Sequence, residues 1–315
     1  MQAMDTTPEA LLDRAARSAP ARALIADPDG SFARHYNRSS FMFPHGIRAG
    51  DGFDVPGVAA LAERLPQTDE YVYWSNGPID VTARWEQGRA EKHSLQDTVR
   101  NIAHNNSIVI LKHTEQDPVL GPILRAFLSE VVDLSGPRMR DDVVVGEALI
   151  LLASPNRITS YHIDAECNYL VQLVGDKTLN VFDPSDHSLI THEELERFHD
   201  GDYNGAVYKP ERQEDAQTYD LRAGHGVHIP TGAPHWVRNG DNVSIALSIN
   251  YDLRSVDRMS RLYRFNNRVR RFGARPTAPG VSAWRDRVKL AAASRLIRLE
   301  PPPGTAATWT PEHRT

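Results

Sequence analysis

Three side chains in two stretches have the types and spacing to hold a metal ion. His162 and Asp164 stand two apart in RITSYHIDAECNYLVQLVGDKTLNVFD (157–183), where apolar and polar residues alternate at period two, as in a half-buried strand. Residues two apart leave a strand on the same face, so the imidazole and the carboxylate point together. GHGVHIPTGAPHWVRN (224–239) adds His235 just after a Pro/Gly turn. Two histidines and one carboxylate on rigid strands form the facial triad that binds non-haem Fe(II) and leaves positions open. A histidine alone says little in a chain with 13 of them; His35, His93, His104 and His313 read as surface or core-satisfied residues.

Lys177, in GDKTLNVFDP, is the next residue of interest. A lysine buried without a partner is costly. At an inward strand position it argues for a bound anion; the alternative is an outward lysine after a Gly-Asp turn. Asn168 and Asn250 are amides able to hydrogen-bond a carboxylate or the surroundings of the metal ligands.

The elements that must position these residues begin near 143. From there VVVGEALILLAS, SYHID, NYLVQLVGDKTLNVFDP, QTYDLRAGHGVHIP and HWVRNGDNVSIALSINYDL read as short strands without intervening helices, a β-barrel or two-sheet sandwich. The His- and acid-rich stretch 186–215 is too long for a hairpin loop and reads as a functional insertion. Before 143 the pattern is mixed. Helices are expected over 6–26, 54–65, 94–106 (capped by Ser94) and 118–136 (stopped by Gly136), and strands over 70–75 and 107–113. Aromatics in 31–47 could cover a sheet edge, and 76–92 reads as a loop. Helices return over 256–272 and 282–299, before a Pro-rich tail expected to be loose. The expected division is therefore 1–142, a helical and mixed region packing on the barrel; 143–255, the β core; and 256–315, C-terminal helices and tail.

Composition narrows the function. The 315 residues suffice for a large core, and a net charge of −5 creates no global basic field for nucleic acid or anionic membrane. The one cysteine, Cys167, rules out a disulfide framework and a cysteine-built zinc site, and suits a reducing cytoplasm. The N-terminal residues are acidic and helical rather than basic then apolar, unlike a secretory signal. No apolar run reaches the roughly 18 residues needed to span a membrane. The expectation is a cytoplasmic protein.

Gly224, Pro230, Gly232, His235 and Asn239 resemble the second motif of the cupin superfamily in full. The upstream stretch resembles the first, with Asp164 in place of its second histidine, Asn168 in place of its glutamate and Gly175 at the usual spacing. Those departures resemble the JmjC 2-oxoglutarate oxygenases. The closest branch looks like the asparaginyl hydroxylase of hypoxia-inducible factor. Its lysine fifteen residues after the first ligand is matched by Lys177, and its threonine three before by Thr159. Its asparagines six after the first ligand and fifteen after the last are matched by Asn168 and Asn250. The likeness is good over roughly 150–255.

The resemblance implies a mainly β fold, a double-stranded β-helix (cupin/jelly-roll, JmjC type), with an N-terminal helical/mixed region and C-terminal helices. It implies an Fe(II)- and 2-oxoglutarate-dependent dioxygenase that uses O₂ to hydroxylate a C–H bond and releases succinate and CO₂. His162, Asp164 and His235 would bind iron, Lys177 and Thr159 the distal carboxylate, with Asn168 and Asn250 assisting. The substrate would be a peptide or protein side chain or a small metabolite, and Tyr73, Trp74 and Trp85 could wall its cleft. Two rivals stay open: a non-catalytic cupin-like ligand-binding regulator, and a cupin enzyme using another divalent metal.

Among the neighbours, His228 reads as structural and Cys167 as pointing away from the metal, while Tyr161, Tyr169 and Trp236 read as core. Arg254, Arg258, Arg261, Arg264, Arg268, Arg271 and Arg275 recur every three or four residues, with Met259, Leu262, Val269 and Phe272 roughly opposite. A face that is solvated, or paired with acids, is favoured over a nucleic-acid surface. In the resembled hydroxylases C-terminal helices form a homodimer, and 256–299 is placed to do so here.

Overall fold

The computed structural model describes residues 23–84, 93–296 and 309–310. Its strands are β1 (Phe41–Pro44), β2 (Val72–Asn76), β3 (Ser107–Leu111), β4 (Val143–Ala153), β5 (Ile158–His162), β6 (Cys167–Val174), β7 (Asp176–Val181), β8 (Gln217–Arg222), β9 (His225–Ile229), β10 (His235–Asn239) and β11 (Ser244–Leu253). Its helices are α1 (Ser31–His35), α2 (Val55–Arg64), α3 (Leu95–Arg100), α4 (Gly121–Ser135), α5 (Pro137–Asp142), α6 (His192–His199), α7 (Arg254–Arg270) and α8 (Ala283–Leu296). All strand pairs are antiparallel, in a seven-stranded sheet ordered β1-β9-β6-β11-β4-β3-β2 and a four-stranded sheet ordered β5-β10-β7-β8. This is the expected double-stranded β-helix with flanking helices.

Period-two alternation gives the large sheet two different faces. On β11, Ile245, Leu247, Ile249 and Tyr251 bury outward under the helices, while Ser248, Asn250 and Asp252 face a cavity inside. β4 divides likewise, with Ala148, Ile150 and Leu152 outward and Glu147, Leu149 and Leu151 inward. Helix α4 supplies Leu124, Phe127, Leu128 and Val131 to the outer core. A second core of Leu170, Leu179, Leu221, Val227 and Val237 lies between the sheets.

Residues 31–47 do more than cover the sheet edge. β1 is itself the edge strand, pairing Phe41 with His228, and Phe32 of α1 packs behind it. Several helix expectations need correction. Most of 6–26 lies outside the described residues, but 23–26 is not helical: Glu130 accepts the backbone N–H groups of Leu24 and Ile25 at 2.8 and 3.0 Å, and Ile25 bridges His45. The helix expected over 94–106, capped by Ser94 as foreseen, stops at Arg100. There Asn101 and Asn105 donate to the carbonyls of Asp97 and Thr98, which competes with further helix. The helix expected from 118 begins at Gly121, because the Asp117 carboxylate holds Val119 and Leu120 in a turn.

Of the tail expected to be loose, only 309–310 lie among the described residues. Trp309 is buried and bridges Gly146, where an added Cβ would stand 2.8 Å from the indole. The arginine face of α7 is largely engaged: Arg268 and Arg271 meet Asp200, Arg264 donates to the His199 carbonyl, and Arg261 pairs with Asp257. The residues opposite do not all bury. Leu262 does, but Phe272 is 92% exposed because α7 ends two residues before it. No helix among the described residues is long and apolar enough to cross a membrane.

Phe32 is fully buried, stacked on Tyr169 at 5.5 Å and edge-on to Phe43 at 4.9 Å. Phe32→Ala should therefore cost about 3–5 kcal/mol, read as a lower urea midpoint at unchanged slope.

Candidate metal centre

Strand register brings the three candidate ligands together. β10 runs antiparallel to β5 with His235 opposite His162, and Asp164 follows two residues after the end of β5. One ligand atom from each of His162, Asp164 and His235 lies within 4.8 Å of the others. The Asp164 Oδ2 is 3.9 Å from His162 Nε2 and 3.6 Å from His235 Nε2, and the two rings are 4.1 Å apart.

The donor set fits a divalent metal. His162 Nδ1 lies 2.7 Å from the Ser160 carbonyl and His235 Nδ1 3.0 Å from that of Ala233. A carbonyl only accepts, so each Nδ1 carries the proton and each Nε2 keeps its lone pair for the centre. Burial lowers the pKa of His235, which keeps its imidazole neutral, the form that ligates. Two imidazoles and a carboxylate match a site for Fe(II) and similar divalent ions, with open positions for further ligands.

The triad opens on a cavity of about 880 Å³ between the sheets, which reaches past the smaller sheet along β3 and β2. Lys177 lies at its far end, 6% exposed, on the β7 position facing Asn239 of β10. No carboxylate stands within ion-pair distance of it among the described residues, and burial pulls its pKa down to about 8. Thr159 lines the same cavity from β5. Asn168 and Asn250 are direct cross-strand partners: the Asn168 amide donates to Asn250 Oδ1 and, at 2.6 Å, to Ser248 Oγ. All seven residues singled out around the metal thus line one cavity.

The aromatic candidates separate. Tyr73 lines the cavity. Trp74, one position on, turns to the outer core and donates its indole N–H to the His93 carbonyl, which removes it from the cleft. Trp85 lies outside the described residues. His228 is fully buried, stacked on Tyr169, with its nitrogens on the Asn168 carbonyl and the Asn37 N–H, and Cys167 faces the outer core.

No family profile matches the chain, and no curated protein matches it. Among solved structures it is similar to YcfD of Escherichia coli, with a TM-score of 0.50 and 14% identity over 89% of this chain and 69% of YcfD. The fold is that of the cupin/JmjC barrel. A further YcfD structure, described as a ribosomal oxygenase in complex with cobalt and 2-oxoglutarate, gives a TM-score of 0.48 and 13% identity over the same shares. Oxalate decarboxylase of Lactobacillus farciminis matches 34% of this chain and 24% of its own, at 18% identity and a TM-score of 0.23.

Several cavity residues escaped the sequence motifs. Arg157 is 2% exposed and donates to the Gly77 and Asn106 carbonyls and, at 2.7 Å, to Ser75 Oγ, which ties β5 to the end of β2. Glu147, Glu166 and Asp252 face the cavity near the metal ligands, and Tyr203, from the 186–215 insertion, stands at its wall. Burial raises the pKa of Glu147, of Asp252 and of Glu166, the last with help from Asp164 and Asp252. Their signal was an acid inside an apolar strand, as in VVVGEALILLA.

Co(II) titrated into the metal-free protein should give one equivalent of visible absorption in the ligand-field region. His162→Ala and Asp164→Ala should each abolish it.

Proposed function

We propose that the protein is an Fe(II)- and 2-oxoglutarate-dependent oxygenase that hydroxylates a C–H bond. One observation carries this: a two-histidine, one-carboxylate centre shares a cavity with a deeply buried lysine that has no acidic partner among the described residues. A metal alone does not account for Lys177; a cosubstrate that reaches from the metal to a distal carboxylate does.

In this proposal His162, Asp164 and His235 hold the iron. Lys177 receives the distal carboxylate in a charge-assisted hydrogen bond, and the Thr159 hydroxyl donates to it. The Asn168–Asn250 amide pair borders the cosubstrate and holds the β6–β11 wall in register. Fe(II) would supply the activation of O₂, whose atoms pass one to succinate and one to the substrate as 2-oxoglutarate loses CO₂. The assignment to the asparaginyl-hydroxylase branch rests on the spacing of Lys177, Thr159, Asn168 and Asn250 in the sequence. A peptide or protein substrate fits a cleft widened by β2 and β3, with Tyr73 on its wall. We also place the functional boundaries at 1–142, 143–255 and 256–315, in a cytoplasmic protein whose C-terminal helices pair two copies.

Protein purified without O₂ and supplied with Fe(II), 2-oxoglutarate and O₂ should form succinate, and Lys177→Ala should lower that rate at least about tenfold. Succinate formation equal in the two proteins would refute the role of Lys177. Product chemistry that needs neither O₂ nor 2-oxoglutarate would instead favour a cupin enzyme on another metal, and salt-sensitive binding of generic DNA without turnover would favour a regulator.

The lowered pKa of Lys177 also sets a pH dependence. The ammonium is charged below about 8 and neutral above it. Affinity for 2-oxoglutarate should therefore fall about tenfold between pH 7 and 9 in the Mn(II) protein, and stay flat in Lys177→Met. Without ligand the sign reverses. Between about 8 and the unfolded value near 10.4 the unfolded chain binds the extra proton, so stability rises with pH across that window.

A further inference from the structure

The insertion at 186–215 is rich in histidine, and the proposed oxygenase centre uses none of these residues. Two of their imidazoles, His187 and His192, stand with ring centroids 3.8 Å apart and planes tilted by 39°. The candidate iron ligands His162 and His235 are set almost alike, at 4.1 Å and 52°. His187 lies in the loop between β7 and α6, and His192 is the first residue of α6.

The backbone that carries the pair is fixed by its own side chains. The Asp186 carboxylate accepts the Ser188 N–H at 2.9 Å and meets Arg212 at 2.8 Å, and the Asp186 carbonyl accepts the N–H groups of Leu189 and Ile190, both at 3.0 Å. Thr191 and Glu194 close a reciprocal capping box at the start of α6. The tautomers are set as well. His187 Nδ1 lies 3.1 Å from the Ile190 carbonyl, which only accepts, so Nδ1 carries the proton and Nε2 keeps its lone pair. The triad histidines use the same device on Ser160 and Ala233. His192 Nδ1 lies 3.3 Å from the Tyr263 hydroxyl, which can accept from it and so allows the same tautomer.

Among the described residues neither Nε2 has a hydrogen-bond partner, and neither ring has a carboxylate within ion-pair distance. Partial burial and the His187 ring lower the pKa of His192, which leaves it neutral near pH 7. The charges around it, Glu193, Glu196 and Arg270, are spent on one another: Arg270 meets Glu196 at 2.7 Å and Glu193 at 3.3 Å. Packing alone does not account for the pair, because His187 is exposed and gains little from burial there. Two adjacent imidazole nitrogens with free lone pairs are what Zn(II) or Cu(II) takes.

We infer that His187 and His192 form a second metal site, for a late divalent transition ion such as Zn(II) or Cu(II), separate from the centre at His162. Their Nε2 atoms would supply two ligands, with water at the remaining positions. The site would act as a clip. Ile190 and Tyr263, which hold the two rings, pack with Leu195 and Phe198 around Ile163, the residue between His162 and Asp164. An ion on the pair would fasten the loop after β7 to α6 and steady that support.

The test counts Zn(II) by calorimetry on the metal-free full chain, which registers an ion whatever its geometry. The wild type should bind two equivalents. His187→Asn and His192→Asn should each lose the second, its affinity falling at least about tenfold. His187 is exposed, so its replacement leaves the fold intact. In His162→Ala one equivalent should remain and Zn(II) should raise the melting temperature, an effect absent when His187→Asn is added. One equivalent in the wild type, or a second that survives both asparagine substitutions, would overturn the proposal. Stoichiometry and stability are read without turnover, so failure of the oxygenase reading leaves this result unchanged.

Discussion

The pairing of β10 with β5 is the constraint on which the site depends. It sets His235 opposite His162, and a slip of one residue would turn one imidazole out of the barrel. β10 also pairs with β7, where Asn239 faces Lys177, so one strand fixes both the candidate metal ligands and the lysine. The β6–β7 turn that delivers Lys177 passes through Gly175 at φ +73°, where a Cβ would stand 2.5 Å from the Val243 carbonyl. The turn tolerates only glycine, and the strand register follows from it.

A second constraint is electrostatic. A folded protein commonly neutralises its buried charges within itself, and this one does so elsewhere: Arg64 meets Asp117, and Arg270 meets Glu196. Inside the barrel the pattern breaks. Among the described residues Lys177 has no carboxylate within ion-pair distance, and Glu147, Glu166 and Asp252 line the same cavity beyond His162 and His235. Charge left unsatisfied in a cavity with a metal-binding geometry is what a site for charged ligands requires, and it lowers the stability of the ligand-free chain.

The N-terminal segment completes the barrel rather than decorating it. β2 and β3 extend the large sheet beyond the reach of the four-stranded sheet, and their inward residues become cleft wall. Arg157 ties them to β5 through the Gly77 and Asn106 carbonyls. The 186–215 insertion forms α6, and Glu196 of that helix and Asp200 just past its end collect Arg268 and Arg270 of α7 and the following Arg271, so the basic stripe is spent mostly on internal pairing.

Much of the site was legible in the sequence because it depends on local spacing. His-x-Asp needs only strand alternation to converge, and the Gly/Pro turn before His235 announces its strand. The same alternation sorted Asn168 inward and Cys167 outward. The helix ends were less legible, since Glu130 and Asp117 capture backbone N–H groups that helix would otherwise use, and Glu130 reaches them from more than a hundred residues away. Trp74 and Tyr73 could not be told apart until pairing with β3 fixed which face of β2 meets the cavity. What the sequence alone determined was the candidate ligand set, the strands that carry it and the barrel class. Only the tertiary structure decided which charges go unpaired, because that depends on the absence of neighbours from every other strand, and no local pattern records an absence.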